Sequence, residues 1–283
     1  MPPRTTPTQR QKRLGAEVRK LRTGVGMSAE YAAALLGVDR GKISNFESGT
    51  RNIGADRLRT LATHCDCTDG RYVDALVELT AWSRDNWWDE YRGRVSPGLQ
   101  DIAELEWDAS RIQTIQTVHI PGLLQTEDYA RSVFSSGLPP LSRLEIELRV
   151  AHRTSRQQVL TREQPVDYVG YVHEAALRMR FGGRETTRAQ LAALVAASEQ
   201  EHITVRIVPV ERGSFPGAGH ALLYAEGAVP QLDTAQLDSA HGPEFMCTEP
   251  QLEKYRAHLA WMDEACLTPT ASRDFIHDVM RDL

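Results

Sequence analysis

The chain has 283 residues, 41% hydrophobic and 25% charged, which excludes a wholly disordered or fibrous protein and is long enough for two domains, each with its own core. No apolar run reaches the roughly 18–20 residues of a membrane span, and the first residues lack the apolar stretch of a secretory signal, so no membrane association and a cytoplasmic setting are expected. The formal charge of −5 is unevenly divided: residues 1–70 hold 12 Lys+Arg against 7 Asp+Glu, a net +5, leaving 21 basic and 31 acidic residues, a net −10, for 71–283. A small basic module joined to a larger acidic one is expected where only the first meets phosphates; chance clustering of solvated charge is the alternative.

Residues 1–9, rich in Pro and Thr, read as a flexible arm. From Arg10 the pattern changes: Leu14, Val18 and Leu21 recur at helical spacing among Lys12, Arg13, Arg19, Lys20 and Arg22, an amphipathic helix with a basic outer face that ends at Gly24 and Gly26. Ser28 is a good N-cap for a second helix running to Leu36, Gly37 suits its left-handed end, and Asp39 can cap a third helix from Arg40 to about Ser48. Two short helices joined by a three-residue turn containing Gly have helix-turn-helix geometry. In the third helix Ile43 and Phe46 form an inner face, placing Arg40, Gly41, Ser44, Asn45 and Ser48 outward. Arg can bond guanine and Asn adenine bidentately, so this face suits base edges in a major groove, while a merely solvated face is the alternative. Further helices are expected at about Ala55 to His64 and Asp69 to Arg84, completing a domain over residues 10–82.

Residues Leu14 to about Leu61, with Ser28-Ala-Glu-Tyr at the start of the second helix and Gly37-Val-Asp-Arg-Gly-Lys-Ile-Ser-Asn-Phe-Glu47 across the turn, resemble the Xre/Cro-type helix-turn-helix. The resemblance implies that Arg40, Gly41, Lys42, Ser44, Asn45 and Ser48 face DNA, that Ser28 and the segment Thr50, Arg51 and Asn52 hold phosphates, and that Glu47 pairs with Arg22 to fix the first helix against the third. Ala29 stands where the family often has Gln, and Ile53 where it often has Pro.

Four cysteines, at 65, 67, 247 and 266, do not make a disulfide framework. Cys65 and Cys67 after His64 would need metal ligands from elsewhere, and small reduced thiols at a helix end are the other reading. No metal or other cofactor is expected. Residues 83–104 form an aromatic-rich linker in which Trp87, Trp88 and Tyr91 should bury against a domain or a second subunit. Beyond it, Leu105 to Ala109 reads as a strand or a helix start, Pro121-Gly122 as a turn, and Thr126 as the cap of a helix through Phe134. A long helix follows from Ser142 to about Thr161. Extended runs at Val166–Val172, Ile203–Val208 and Ala221–Ala225, a helix from Thr187 to Glu201, and C-terminal helices from about Pro250 and Ser272 make residues 105–283 a larger α+β domain with a small mixed sheet. The overall class is therefore α+β, with an all-α five-helix domain first.

Ile120-Pro-Gly-Leu-Leu-Gln-Thr-Glu-Asp-Tyr-Ala130, Glu174-Ala-Ala-Leu177, Phe215-Pro-Gly217 and Ser272-Arg-Asp-Phe-Ile276 resemble segments of the uncharacterised C-terminal domain that follows an Xre-type helix-turn-helix in antitoxin-like actinobacterial regulators. No catalytic constellation stands out. His173-Glu174-Ala-Ala-Leu177 lacks the second His of a zinc-protease helix, and Gly37 to Ile43 has the wrong spacing for a phosphate loop. The Gly213–Gly219 loop either closes over a small molecule or simply connects two extended runs. The expectation is a non-enzymatic homodimer that binds double-stranded DNA at a near-palindromic operator as a repressor. Two recognition helices would sit about 34 Å apart, and the acidic domain would receive a signal from a small-molecule effector or small partner protein. An antitoxin-like interaction protein, whose larger domain binds a small partner protein, is the alternative.

Overall fold

The computed structural model describes residues 6–81, 86–217, 219–239 and 241–283. It divides into two compact units, one made of Met1–Asp89 with Ala228–Gln231 and the other of Glu90–Gly227 with Leu232–Leu283. The class is α+β.

Among the described residues, the first unit contains five α-helices: α1 (Gln9–Gly24), α2 (Ala29–Leu35), α3 (Arg40–Glu47), α4 (Ala55–His64) and α5 (Gly70–Leu79). Leu14, Val18, Ile43, Phe46, Leu58, Leu61 and Leu76, each 5% exposed or less, are the apolar stripes that these helices turn toward one another. Helix α1 begins inside the expected arm: the Thr8 side chain accepts from the Gln11 backbone N–H at 3.2 Å while Gln11 Oε1 accepts from the Thr8 N–H at 2.9 Å, a reciprocal cap. Residues 1–5 of that arm lie outside the described residues, as do 82–84 of the expected fifth helix, whose regular part ends at Leu79. Arg13, expected on the basic outer face, is instead buried. It pairs with Glu17 at 3.2 Å, and the Tyr72 hydroxyl donates to the other Glu17 oxygen. Burial first, and Glu17 second, push the Tyr72 hydroxyl well above its ordinary pKa, so it remains a proton donor to that carboxylate.

The second unit is built on a six-stranded mixed sheet: β1 (Arg111–Gln116), β2 (Asp167–His173), β3 (Ile203–Val208), β4 (Leu222–Glu226), β5 (Thr234–Ser239) and β6 (Gly242–Met246), in the order β3-β2-β1-β4-β5-β6. Strands β1, β2 and β3 are parallel, joined through α7 (Glu127–Ser135) with α8 (Arg143–Arg156), and through α9 (Glu174–Arg178) with α10 (Gly183–Ala197). The remaining pairings are antiparallel. One face carries Ile112, Tyr168, Val172, Val205 and Leu223 in a core shared with Leu191 and Leu194 of α10 and with Ile276 and Val279 of α12 (Pro269–Asp282). The other carries Ile115, Tyr171 and Tyr224 against Leu252, Leu259 and Met262 of α11 (Glu249–Ala265). With both faces of the sheet covered, the buried positions of β2 and β3 are largely apolar, while β1 carries Gln113 and Thr114 buried as well.

Both flanks of the sheet are obstructed. Beside β3, Ile207 N–H donates to Ser272 Oγ at 3.0 Å and the Ile207 carbonyl accepts from Leu267 N–H at 2.9 Å. Strand β6 carries Pro243, against which Gly98 of α6 (Pro97–Asp108) packs so closely that a Cβ there would lie 2.6 Å from the ring. The segment Leu105 to Ala109, which reads as a strand or helix start, is the end of α6 and its cap. The helix expected from Thr187 to Glu201 runs earlier, from Gly183 to Ala197, and three strands, β1, β5 and β6, lie outside the three expected extended runs. Among the described residues no helix is long and apolar enough to cross a membrane.

Candidate nucleic-acid interface

Helix α2 ends in a Schellman turn: Val38 N–H donates to Ala33 O at 2.9 Å and Gly37 N–H to Ala34 O at 3.3 Å, with Gly37 at φ +63 where a side chain would be strained. Asp39 then caps α3, its Oδ1 accepting from Lys42 N–H at 2.9 Å. That bond, with the Lys42 ammonium 3.3 Å from the other oxygen, holds the Asp39 carboxyl below the usual carboxylate range.

From this turn α3 presents Arg40, Gly41, Lys42, Ser44 and Ser48 exposed and Asn45 half-buried, with Ile43 and Phe46 turned inward. Arg40 Nε rests 2.9 Å from Glu30 Oε1 on α2, both side chains well exposed. An exposed pair of this kind costs little to exchange for another acceptor. Asn45 anchors the segment after the helix: its carbonyl accepts from Ser48 Oγ at 3.2 Å, from Thr50 Oγ1 at 3.1 Å and from Arg51 N–H at 3.1 Å. Arg51 itself is exposed, and so is Ser28, whose hydroxyl accepts from Tyr31 N–H at 3.1 Å and starts α2. Asn52 is differently engaged. It donates to Thr80 O at 2.6 Å and accepts from Gly54 N–H at 2.9 Å, tying the loop after α3 to the end of α5.

The structure brings Arg22 and Glu47 together. Arg22 Nε and Nη2 donate to the two carboxylate oxygens at 2.5 and 3.2 Å, Nη1 donates to Met27 O at 2.6 Å, and both side chains are largely buried. The Glu47 bond raises the Arg22 pKa above its already high value against the opposing effect of burial. One element of this scaffold, Gly15, carries no motif that singles it out in the sequence. Helix α1 passes so near the end of α3 that a Cβ on Gly15 would lie 2.5 Å from the Glu47 carbonyl oxygen, and one on Gly49 would lie 2.6 Å from Gln11 backbone. Only the small size of glycine at 15, among residues of an otherwise ordinary helix, signals the contact.

The remaining sequence candidates have structural partners. Cys65 is a buried free thiol whose pKa burial pushes up, and Cys67 is half-buried; among the described residues no group of three His, Cys, Asp or Glu could hold a metal ion. His173 Nδ1 accepts from Ala175 N–H at 3.1 Å, while Glu174 pairs with Arg178 at 2.7 Å and accepts from Val210 N–H at 2.9 Å. In the Gly213–Gly219 loop, whose residue 218 lies outside the described residues, Phe215 stacks between His173 and Trp261 at 5.5 and 6.2 Å. Of the aromatic join, Trp88 is buried and Tyr91 meets His152 edge-on at 5.0 Å; residues 83–85 lie outside the described residues.

Residues 13–76 match the family described as Helix-turn-helix domain, and residues 99–278 match Domain of unknown function (DUF5753). No curated protein and no solved structure matches the chain. The first match carries the architecture of a DNA-binding regulator, and the matched families identify no catalytic activity.

Proposed function

We propose that this chain, which belongs to the DUF5753 family and carries a helix-turn-helix domain ahead of that family's own domain, is a sequence-specific repressor that occupies a near-palindromic operator as a homodimer. The observation that carries the reading is the open outer face of α3, mounted on a rigid support. Arg40 and Asn45 offer bidentate groups to base edges, with Gly41, Lys42, Ser44 and Ser48 beside them. Ser28, Thr50 and Arg51 flank that face where phosphates would run, and Asn52 holds their loop in place. On this reading the Arg22–Glu47 pair keeps α1 and α3 in fixed register while the DNA is read. The larger domain dimerises and receives a signal in the cytoplasm.

Selection of bound sequences from a random duplex pool tests the proposal. A defined motif with twofold symmetry is expected. On that motif, Arg40→Ala or Asn45→Ala should cost about 1–3 kcal/mol and relax the preference at one base pair, while Arg51→Ala weakens all sequences alike. Enrichment of no motif, or identical behaviour of the Arg40 and Arg51 variants on specific and random DNA, sinks the assignment.

A further inference from the structure

Each cation on the outer face of α3 has a carboxylate of its own. Lys42 Nζ lies 3.3 Å from Asp39 Oδ2, and Arg40 Nε lies 2.9 Å from Glu30 Oε1 on α2. The face meant for base edges is therefore close to neutral, although it belongs to the basic part of the chain. Arg51, on the segment after α3, is treated differently: it is exposed, and among the described residues no carboxylate lies within 4.0 Å of it.

Asp39 is accounted for by the cap it gives α3. Glu30 has no such duty. The start of α2 is already capped by Ser28, and the Glu30 side chain stands 58% exposed beside an Arg40 that is 73% exposed. Its own backbone N–H foremost, and then Arg40, hold the Glu30 carboxyl below the usual carboxylate range, so it is charged at neutral pH.

A long, exposed arginine at a DNA surface has two kinds of acceptor within reach, base edges and phosphate oxygens, and the phosphates carry the charge. A carboxylate beside the guanidinium alters that choice. A phosphate drawn to Arg40 is drawn to Glu30 as well, and like charges a few ångströms apart repel. Guanine O6 and N7 are neutral acceptors and meet no such opposition.

We propose that Glu30 is a specificity-determining residue of the DNA-binding unit: its carboxylate, standing against Arg40, denies that arginine to phosphates and commits it to a base edge. This rests on the reading of α3 as the base-reading helix.

The test uses the full chain and measures binding to the duplex obtained by selection and to random duplex, at several salt concentrations, for the natural chain, Glu30→Gln, Arg40→Ala and the double variant. Glu30→Gln should bind random duplex about fivefold more tightly, lose discrimination between the two duplexes by a similar factor, and show a salt slope steeper by about 1, as Arg40 turns to a phosphate. Added to Arg40→Ala, the same change should do none of these. The thermal midpoint should barely move, and Glu30→Ala repeats the comparison should the glutamine variant not fold. An equal gain in random binding with and without Arg40 would mean that Glu30 merely repels DNA from the start of α2, and overturns the proposal. So does equal weakening on both duplexes, or an unchanged slope and discrimination. A natural chain that prefers no sequence overturns the regulator reading and this proposal together, whereas a natural chain that reads a motif through Arg40, with a Glu30→Gln variant that reads it equally well, overturns this proposal alone.

Discussion

Arg22 spends its whole guanidinium on protein: two bonds to Glu47 and one to the Met27 carbonyl, in a place where little water reaches. Removing one member of such a pair strands the other charge, which outweighs the modest value of the intact pair. Glu47→Ala or Arg22→Ala alone should therefore cost about 3 kcal/mol in urea unfolding, and the double variant clearly less than the sum of the two; strict additivity would mean the groups do not interact. His152 is a second residue whose burial sets a measurable property. It is 1% exposed, and burial first, then Arg156 and Arg153, lower its pKa to about 3. Between that value and the ordinary value near 6.5, the unfolded chain binds a proton that the folded chain refuses. His152 therefore costs no stability above about pH 6.5 and progressively more as pH falls through this window. Comparing the pH dependence of unfolding in the natural chain and in His152→Leu should show a slope shallower in the variant by up to about 1.4 kcal/mol per pH unit between pH 6 and 4. Parallel curves would show that the histidine is protonated in the fold.

At the scale of elements, the contact between α1 and the end of α3 depends on bare backbone. Replacing glycine by alanine inside a helix ordinarily gains up to about 1 kcal/mol, but a methyl group 2.5 Å from a carbonyl oxygen cannot be accommodated without moving one helix. Gly15→Ala should lose about 1–3 kcal/mol and loosen DNA binding. Gly24→Ala, whose Cβ meets nothing within 4 Å, should be neutral or slightly stabilising, and equal effects of the two in thermal unfolding would refute the packing argument. The same elements show what could be read in advance. Helix α3 was legible because its cap Asp39, the preceding Gly37 and the spacing of Ile43 and Phe46 are all local signals. Strand β1 was not, because Gln113 and Thr114 are buried although polar, and their partners arrive from other parts of the chain: Gln113 donates to Glu226 at 3.0 Å and Thr114 bonds Tyr168 at 2.7 Å. Strand β5 hides for a like reason, Gln236 being only 5% exposed.

For the molecule as a whole, the division of charge between residues 1–70 and the rest has a direct consequence in solution. Affinity for duplex should fall steeply and linearly in log[salt], because contacts to phosphates release counterions. Arg51→Ala should make that slope shallower by about 1 while Asn45→Ala leaves it unchanged, read from binding isotherms at several salt concentrations. An Asn45 variant that altered the slope as much as the Arg51 variant would reverse their assignments.

The two obstructed flanks of the sheet bear on how this chain can associate with itself. Ile207 has its amide and carbonyl satisfied by the start of α12 and the residues before it, and Pro243 offers no amide hydrogen on the far side. Neither border invites a neighbouring ribbon to zip on. Were copies of this chain to meet, contacts through side chains on the helices would leave the backbone ladder undisturbed.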